Sequence, residues 1–227
     1  MKTLAGFLLY AAVYSLALLA ACSSAPPPAD WKINAASLLE HFQNRWLQGD
    51  SRAAELALEN ARKEVAKTGR LDLLARLELA ACGTQAATLD FSACAPYASL
   101  EADATPADRS YARFISGDWA KLDASLLPAH YARLLQASDE SGANHAAMAI
   151  PDALPRLIAT GLLFKQGRAH AQTIEAATRT ASDLGWRRPL WVWLEVQRQR
   201  AIQNGDVHAA AQLLRRIELV QGKTDRK

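Results

Sequence analysis

What the 227-residue sequence lacks narrows its chemistry before anything it contains does. It has no G-x-S-x-G elbow, no phosphate-binding glycine loop and no dinucleotide fingerprint, so the motif-borne routes to ester hydrolysis, nucleotide hydrolysis and hydride transfer are missing. Of its five histidines, His41, His130, His145, His170 and His208, none has a second histidine or an acid at a convincing ligand spacing. Nothing in the sequence asks for a metal or a cofactor. Glu101, Asp103 and Asp108, like Asp139 and Glu140, read as solvated loop acids, because neither stretch carries a surrounding signature for cell-wall cleavage. Aromatic residues make up only 7% of the chain, and no sustained apolar–polar alternation marks a strand.

Half of the residues are hydrophobic, and much of that half is alanine. High Ala and Leu with few β-branched residues favours helix. One apolar run stands apart from the rest. Lys2 is followed by no charged residue until Asp30, and residues 4–19 are apolar except for Ser15 and the hydroxyls of Tyr10 and Tyr14. The run closes on Leu19-Ala20-Ala21-Cys22, and Ser23-Ser24-Ala25-Pro26-Pro27-Pro28 follows. This pattern resembles a bacterial lipobox: a leucine, two small residues that suit the signal peptidase, then a cysteine.

The resemblance implies that Cys22 takes a diacylglyceryl group on its sulfur and becomes the first residue of the mature protein. Residues 1–21 are then a signal peptide, to be left out of fold reasoning. Residues 22–34 form a lipidated, Pro-rich tether, 35–222 an α-helical domain and 223–227 a basic tail. Each buried methylene contributes roughly 0.8 kcal/mol, and stable anchoring takes more than one chain. In that family an Asp after the cysteine favours retention in the inner membrane, so Ser23 points to the periplasmic face of the outer membrane. An uncleaved signal anchor is the alternative, since residues 3–21 approach the length of a bilayer span.

With Cys22 given to lipid, Cys82 and Cys94 remain as an even pair in an oxidising compartment, where a disulfide is the default. Closing that loop stabilises by roughly 3 kcal/mol in the chain-entropy model. A redox pair or metal site fits less well, because the spacing is not C-x-x-C and no histidine lies between them. The net charge of +3 is unevenly spread: residues 23–150 carry 12 basic and 16 acidic side chains, and 151–227 carry 13 basic and 7 acidic. A basic C-terminal half suits an acidic partner or anionic headgroups, or is a solvated helical face. Nucleic acid is a poor partner for a periplasmic protein.

Helix signals divide the mature chain into about nine helices. Leu38, Leu39, Phe42 and Trp46 share one face of a first helix over 35–48, and Asp50-Ser51 caps a second through Lys67. A third runs from Arg70 to Ala81, ended by Cys82-Gly83, with Leu73, Leu74 and Leu77 inward and Glu78 opposing full burial of its side. Residues 83–105 read as a loop pinned by the disulfide, with room for one helical turn. Thr105-Pro106-Ala107-Asp108 starts a helix, with cap, proline and acid in the expected order. Gly117-Asp118 opens a short one, Pro128 the next, and 138–144 is polar and loop-like. Pro151, Asp152 and Pro155 mark the entry to a helix ending near Gln166, and helices over about 168–183, 189–204 and 206–220 complete the chain.

Three turns resemble one another: Leu47-Gln48-Gly49-Asp50-Ser51-Arg52-Ala53-Ala54, Lys165-Gln166-Gly167-Arg168-Ala169-His170-Ala171-Gln172 and Gln203-Asn204-Gly205-Asp206-Val207-His208-Ala209-Ala210. Gly117-Asp118-Trp119 is a degenerate fourth. Glycine closes one helix, Asp or a substitute caps the next, and Ala permits close approach. The turns are similar to the hairpins of tetratricopeptide-type repeats, although the family's full pattern and regular period are absent. The fold expected is all-α: an irregular helical-hairpin stack, or a compact helical bundle, with one disulfide.

The sharpest local feature is Trp186-Arg187-Arg188-Pro189-Leu190-Trp191-Val192-Trp193. Trp and Arg together are typical of binding hot spots, so Trp186, Arg187, Arg188 and Trp191 are the candidate binding residues. The competing role is core filling by Trp191 or Trp193. Trp193, Val196 and Arg200 share one stripe, and Trp191 and Glu195 lie beside it, so one Trp can serve each purpose. These observations lead to a non-enzymatic lipoprotein that binds an envelope protein in assembly or secretion. Two other classes stand beside it: a cell-wall or small-ligand binder using the basic Trp/Arg part, and an enzyme whose site is assembled from scattered residues.

Overall fold

The structure, a computed structural model, describes residues 29–92 and 94–222. The described residues from Trp31 onward form one compact unit. Cys22, the expected signal peptide over residues 1–21 and the expected basic tail over 223–227 lie outside the described residues. Among those described there is helix and no strand, and no helix is long and apolar enough to cross a membrane.

Among the described residues eleven α-helices follow one another: α1 Asp30–Gln48, α2 Ser51–Ala66, α3 Leu71–Ala86, α4 Ala95–Ala98, α5 Pro106–Ser116, α6 Ala129–Leu135, α7 Glu140–Met148, α8 Ala153–Lys165, α9 Ala171–Asp183, α10 Arg187–Gln203 and α11 Val207–Gln221. They form an irregular helical stack. The helix starts follow local chemistry. Asp50 accepts from Ala53 N (3.1 Å) and Asp206 from Ala209 N (2.8 Å), and Thr105 accepts from Asp108 N (3.1 Å) with Pro106 at the first position. Each bond satisfies an N–H that the first helical turn leaves without an intrahelical partner. The first helix begins at Asp30, earlier than Ala35, so the end of the expected tether is helical.

Among the described residues there are two cores, and α3 stands between them. The smaller joins Phe42 and Trp46 of α1 to Ala54, Leu58 and Val65 of α2 and to Leu77 and Ala81 of α3. The larger takes Ala75 and Leu79 from the other side of α3 and continues through Phe114, Tyr131, Leu157, Leu162, Ile174 and Trp193. Seven consecutive residues of α8, Leu157 to Leu163, are buried, as expected for a helix covered on every side. Close approach of α8 to α3 depends on Gly161, where a Cβ would lie 2.5 Å from the Ala86 carbonyl oxygen.

Several expectations are corrected by tertiary contacts. Helix α3 does not end at Cys82-Gly83 but continues to Ala86. Gly83 is there because the Tyr111 hydroxyl occupies the space a Cβ would need, and it terminates nothing. Glu78 is only 3% exposed, because Arg62 of α2 meets its two carboxylate oxygens at 2.6 and 2.7 Å. That bidentate bond is the first cause of a raised Arg62 pKa. The polar stretch 138–144 is not a loop but largely belongs to α7. Asp139 caps it at Gly142 N, and Asn144, 2% exposed, donates to Glu140 O and Arg168 O while accepting from His170 N and Thr173 Oγ1. Gly117-Asp118 opens no helix. Asp118 pairs with Arg113 (3.0 Å), and Trp119 stacks on Phe114 with centroids 5.3 Å apart.

Cys82 and Cys94 are joined, with Cα atoms 5.9 Å apart, and the bond ties the segment after α3 back onto that helix. The three similar turns share a left-handed glycine, at Gly49, Gly167 and Gly205. Their surroundings differ: Ala169 is buried, whereas Val207 at the equivalent place in the last turn is 79% exposed. The resemblance is one of local turn chemistry more than of repeated packing.

Candidate binding cleft

The last hairpin returns to the first. The α1–α2 turn, the segment after α3, the start of α10 and the end of α11 enclose an open cleft of about 900 Å3. Each wall is set by local structure. Gly49 and Asp50 turn the chain so that Ser51 opens α2 beside Trp46, whose indole N–H donates to Thr88 Oγ1 at 3.1 Å. On the far side, the backbone N–H of Trp186 donates to Ala181 O, and α10 starts directly at Arg187 with no side-chain cap.

Arg188 spans the two walls. Its guanidinium carbon lies 3.9 Å from the centre of a Trp46 ring, and its Nη2 donates to Ser51 Oγ at 2.6 Å. A stacked cation of this kind contributes about 0.5–2 kcal/mol, more as water is excluded. Burial pushes the Arg188 pKa down, and the carboxylate of Asp90 offsets part of that shift. Arg187 is exposed, and its Nε reaches Val220 O at 3.4 Å. Trp191, 41% exposed, presents its ring to the same cleft beside Val192.

Of the four candidate binding residues, the structure thus brings Arg187, Arg188 and Trp191 together. Trp186 departs from them: it is half-buried and packs against the larger core, with no part in lining the cleft. Trp193 is fully buried against Phe164, with ring centroids 5.8 Å apart, so this stretch divides its tryptophans between core and surface. Sequence reasoning missed Trp46, Ser51 and Val220 as cleft residues. The only available signal was the Gly49-Asp50-Ser51 turn, and nothing in the sequence couples that turn to residues 187–192.

Two further cavities flank the larger core. One of about 310 Å3 lies beside the disulfide, under Phe91 and Lys165. Another of about 590 Å3 is lined by Leu127, Tyr111, Tyr131, His130 and the Arg76–Asp108 pair. Burial raises the Tyr111 pKa to about 12, raises that of Tyr131 and lowers that of His130. Asp108 is no solvated loop acid: it is buried, held by Arg76 at 3.1 and 3.2 Å and by the Thr105 hydroxyl at 2.6 Å. Glu101 and Asp103 are exposed, and Glu140 lies 3.3 Å from His170 Nε2. Among the described residues no three or more His, Cys, Asp or Glu side chains are grouped to hold a metal ion. Comparison with protein-family models, with curated proteins and with solved structures gives no match to this chain.

Proposed function

We propose that the chain is a lipoprotein, anchored through Cys22 to the periplasmic face of the outer membrane. Its helical stack serves there as a non-enzymatic scaffold for a protein of the envelope, in assembly or secretion. The observation that carries the binding role is the cleft itself. Two arginines and two tryptophans converge on it from opposite ends of the chain, and these are the residue types enriched at binding hot spots. The anchoring role rests on the Leu19-Ala20-Ala21-Cys22 pattern and the proline tether after it.

Crosslinking in cells followed by mass spectrometry, comparing the wild type with Cys22→Ala, tests both parts. A protein partner captured only with the anchored form supports a tethered scaffold. Absence of any partner in either form sinks it. A second reading, a cell-wall or small-ligand binder, draws on the size of the cleft, which lies within the roughly 300–1,000 Å3 of small-molecule sites. Retention on purified peptidoglycan, lost in Arg188→Gln, would favour that reading.

A further inference from the structure

Two arginines and two acids line the cleft, but the arginines keep donors that neither acid takes up. Both acids are committed locally. Asp50 Oδ1 caps α2 at Ala53 N (3.1 Å), and Asp90 Oδ1 accepts from Ser92 N (3.1 Å) and Ser92 Oγ (2.7 Å). Among the described residues neither Arg187 nor Arg188 forms an ion pair. Arg188 is half-buried and one of its N–H groups meets Ser51, so the remaining donors of a fork suited to a carboxylate are unused by any acid. Asp90 offsets only part of the desolvation of Arg188, and an anion brought by a ligand onto the unused donors would offset more of it.

A bare anion would leave most of the cleft empty. Trp46, Trp191, Val192 and Val220 supply apolar wall around a space of about 900 Å3, many times the volume of one carboxylate. The occupant therefore carries apolar bulk next to its charge. We infer that the cleft binds an acidic peptide segment, whose carboxylate pairs with Arg187 and Arg188 and whose neighbouring apolar side chain packs on Trp191 and Val192. This rests on the reading of the protein as a scaffold and names the chemistry of the partner segment.

The test uses the purified chain and a short fluorescein-labelled peptide of alternating Glu and Leu, followed by fluorescence anisotropy. The Gln–Leu version of the peptide and free glutarate, as competitor, are its controls. Saturable binding of the Glu peptide is expected, weakened about tenfold by Arg188→Gln and by Arg187→Ala, and weakened by added salt. Trp191→Ala, at an exposed position, should weaken binding while leaving thermal unfolding in place, which guards against a fold defect in Arg188→Gln. Equal binding of the Gln peptide overturns the proposal, as does glutarate binding as tightly as the peptide, or no loss in the arginine variants. Peptide failure alongside a protein partner crosslinked in cells removes the acidic segment and leaves the scaffold standing. Peptide binding without any cellular partner does the reverse.

Discussion

Replacing Gly161 by alanine should destabilise this protein, although the same change in an ordinary helix interior stabilises it. Alanine is favoured over glycine in a helix by about 1 kcal/mol, through chain entropy and backbone shielding. Against that gain stands the Ala86 carbonyl oxygen, 2.5 Å from where the new Cβ would be. The obstacle is backbone, and the same oxygen accepts from Leu89 N at 3.1 Å, so no side-chain rotation relieves the clash. Relief requires α8 to move away from α3, which opens the larger core along Leu157, Ile158 and Leu162. Overpacking of this kind costs about 1–3 kcal/mol, and a contact with rigid backbone belongs in the upper part of that range. The net loss is about 1–2 kcal/mol, a fall in Tm of roughly 2–8 °C for a domain of this size. Urea and thermal unfolding of the wild type and Gly161→Ala read the sign directly. A variant as stable as the wild type, or more so, would refute the close approach of the two helices.

The division of labour in the C-terminal stretch predicts unequal effects: Trp193→Ala should cost about 3–5 kcal/mol, Trp191→Ala under about 1 kcal/mol, and equal costs would contradict the assignment. Reducing the Cys82–Cys94 bond, or replacing both cysteines by alanine, should lower the unfolding free energy by roughly 3 kcal/mol in urea titrations. A midpoint unmoved by reductant would mean that the bond does not restrain the unfolded chain. His130 predicts an acid-side dependence. Burial lowers its pKa, so the folded chain binds the proton less readily than the unfolded one. Its contribution to stability is therefore full above the ordinary histidine pKa of about 6.5 and declines as pH falls through that value. His130→Gln should flatten the decline between about pH 7 and 5, and an unchanged pH profile would show that its burial carries no proton linkage.

Features decided within a few residues were legible in the sequence. The start of α5 is written in Thr105, Pro106 and Asp108, and the inward stripe of α1 in Phe42 and Trp46, because capping and amphipathic spacing need no distant partner. Features decided across the fold were not. Gly83 has the same local look as a helix-ending glycine, and only the Tyr111 hydroxyl packed over it shows why it sits inside α3. The stretch 138–144 is polar in the way of a solvated loop, yet Asn144 is buried because Arg168, His170 and Thr173 satisfy it from the α8–α9 turn. A lone Glu78 opposes burial, and only its partner Arg62, on α2, makes that burial possible in the fold.

The candidate site shows the same divide. Arg187, Arg188 and Trp191 stand out as a local cluster of binding-type residues, whereas Trp46 has all the marks of an ordinary core residue of α1. Its second role arises only because Arg188 stacks on it from a position 137 residues beyond the Ser51 it also touches. Trp186, adjacent in sequence to the arginines, is carried toward the core instead, since the chain enters α10 through it.

A photo-crosslinking residue at position 191 tests most directly whether the cleft is where this protein meets a partner. The matching control places the same residue at position 133, exposed on α6 and no part of the cleft. Illumination of living cells should give a discrete protein adduct from position 191 and none from 133. Adducts at both positions alike, or none at 191, would contradict the assignment of the cleft as the binding surface.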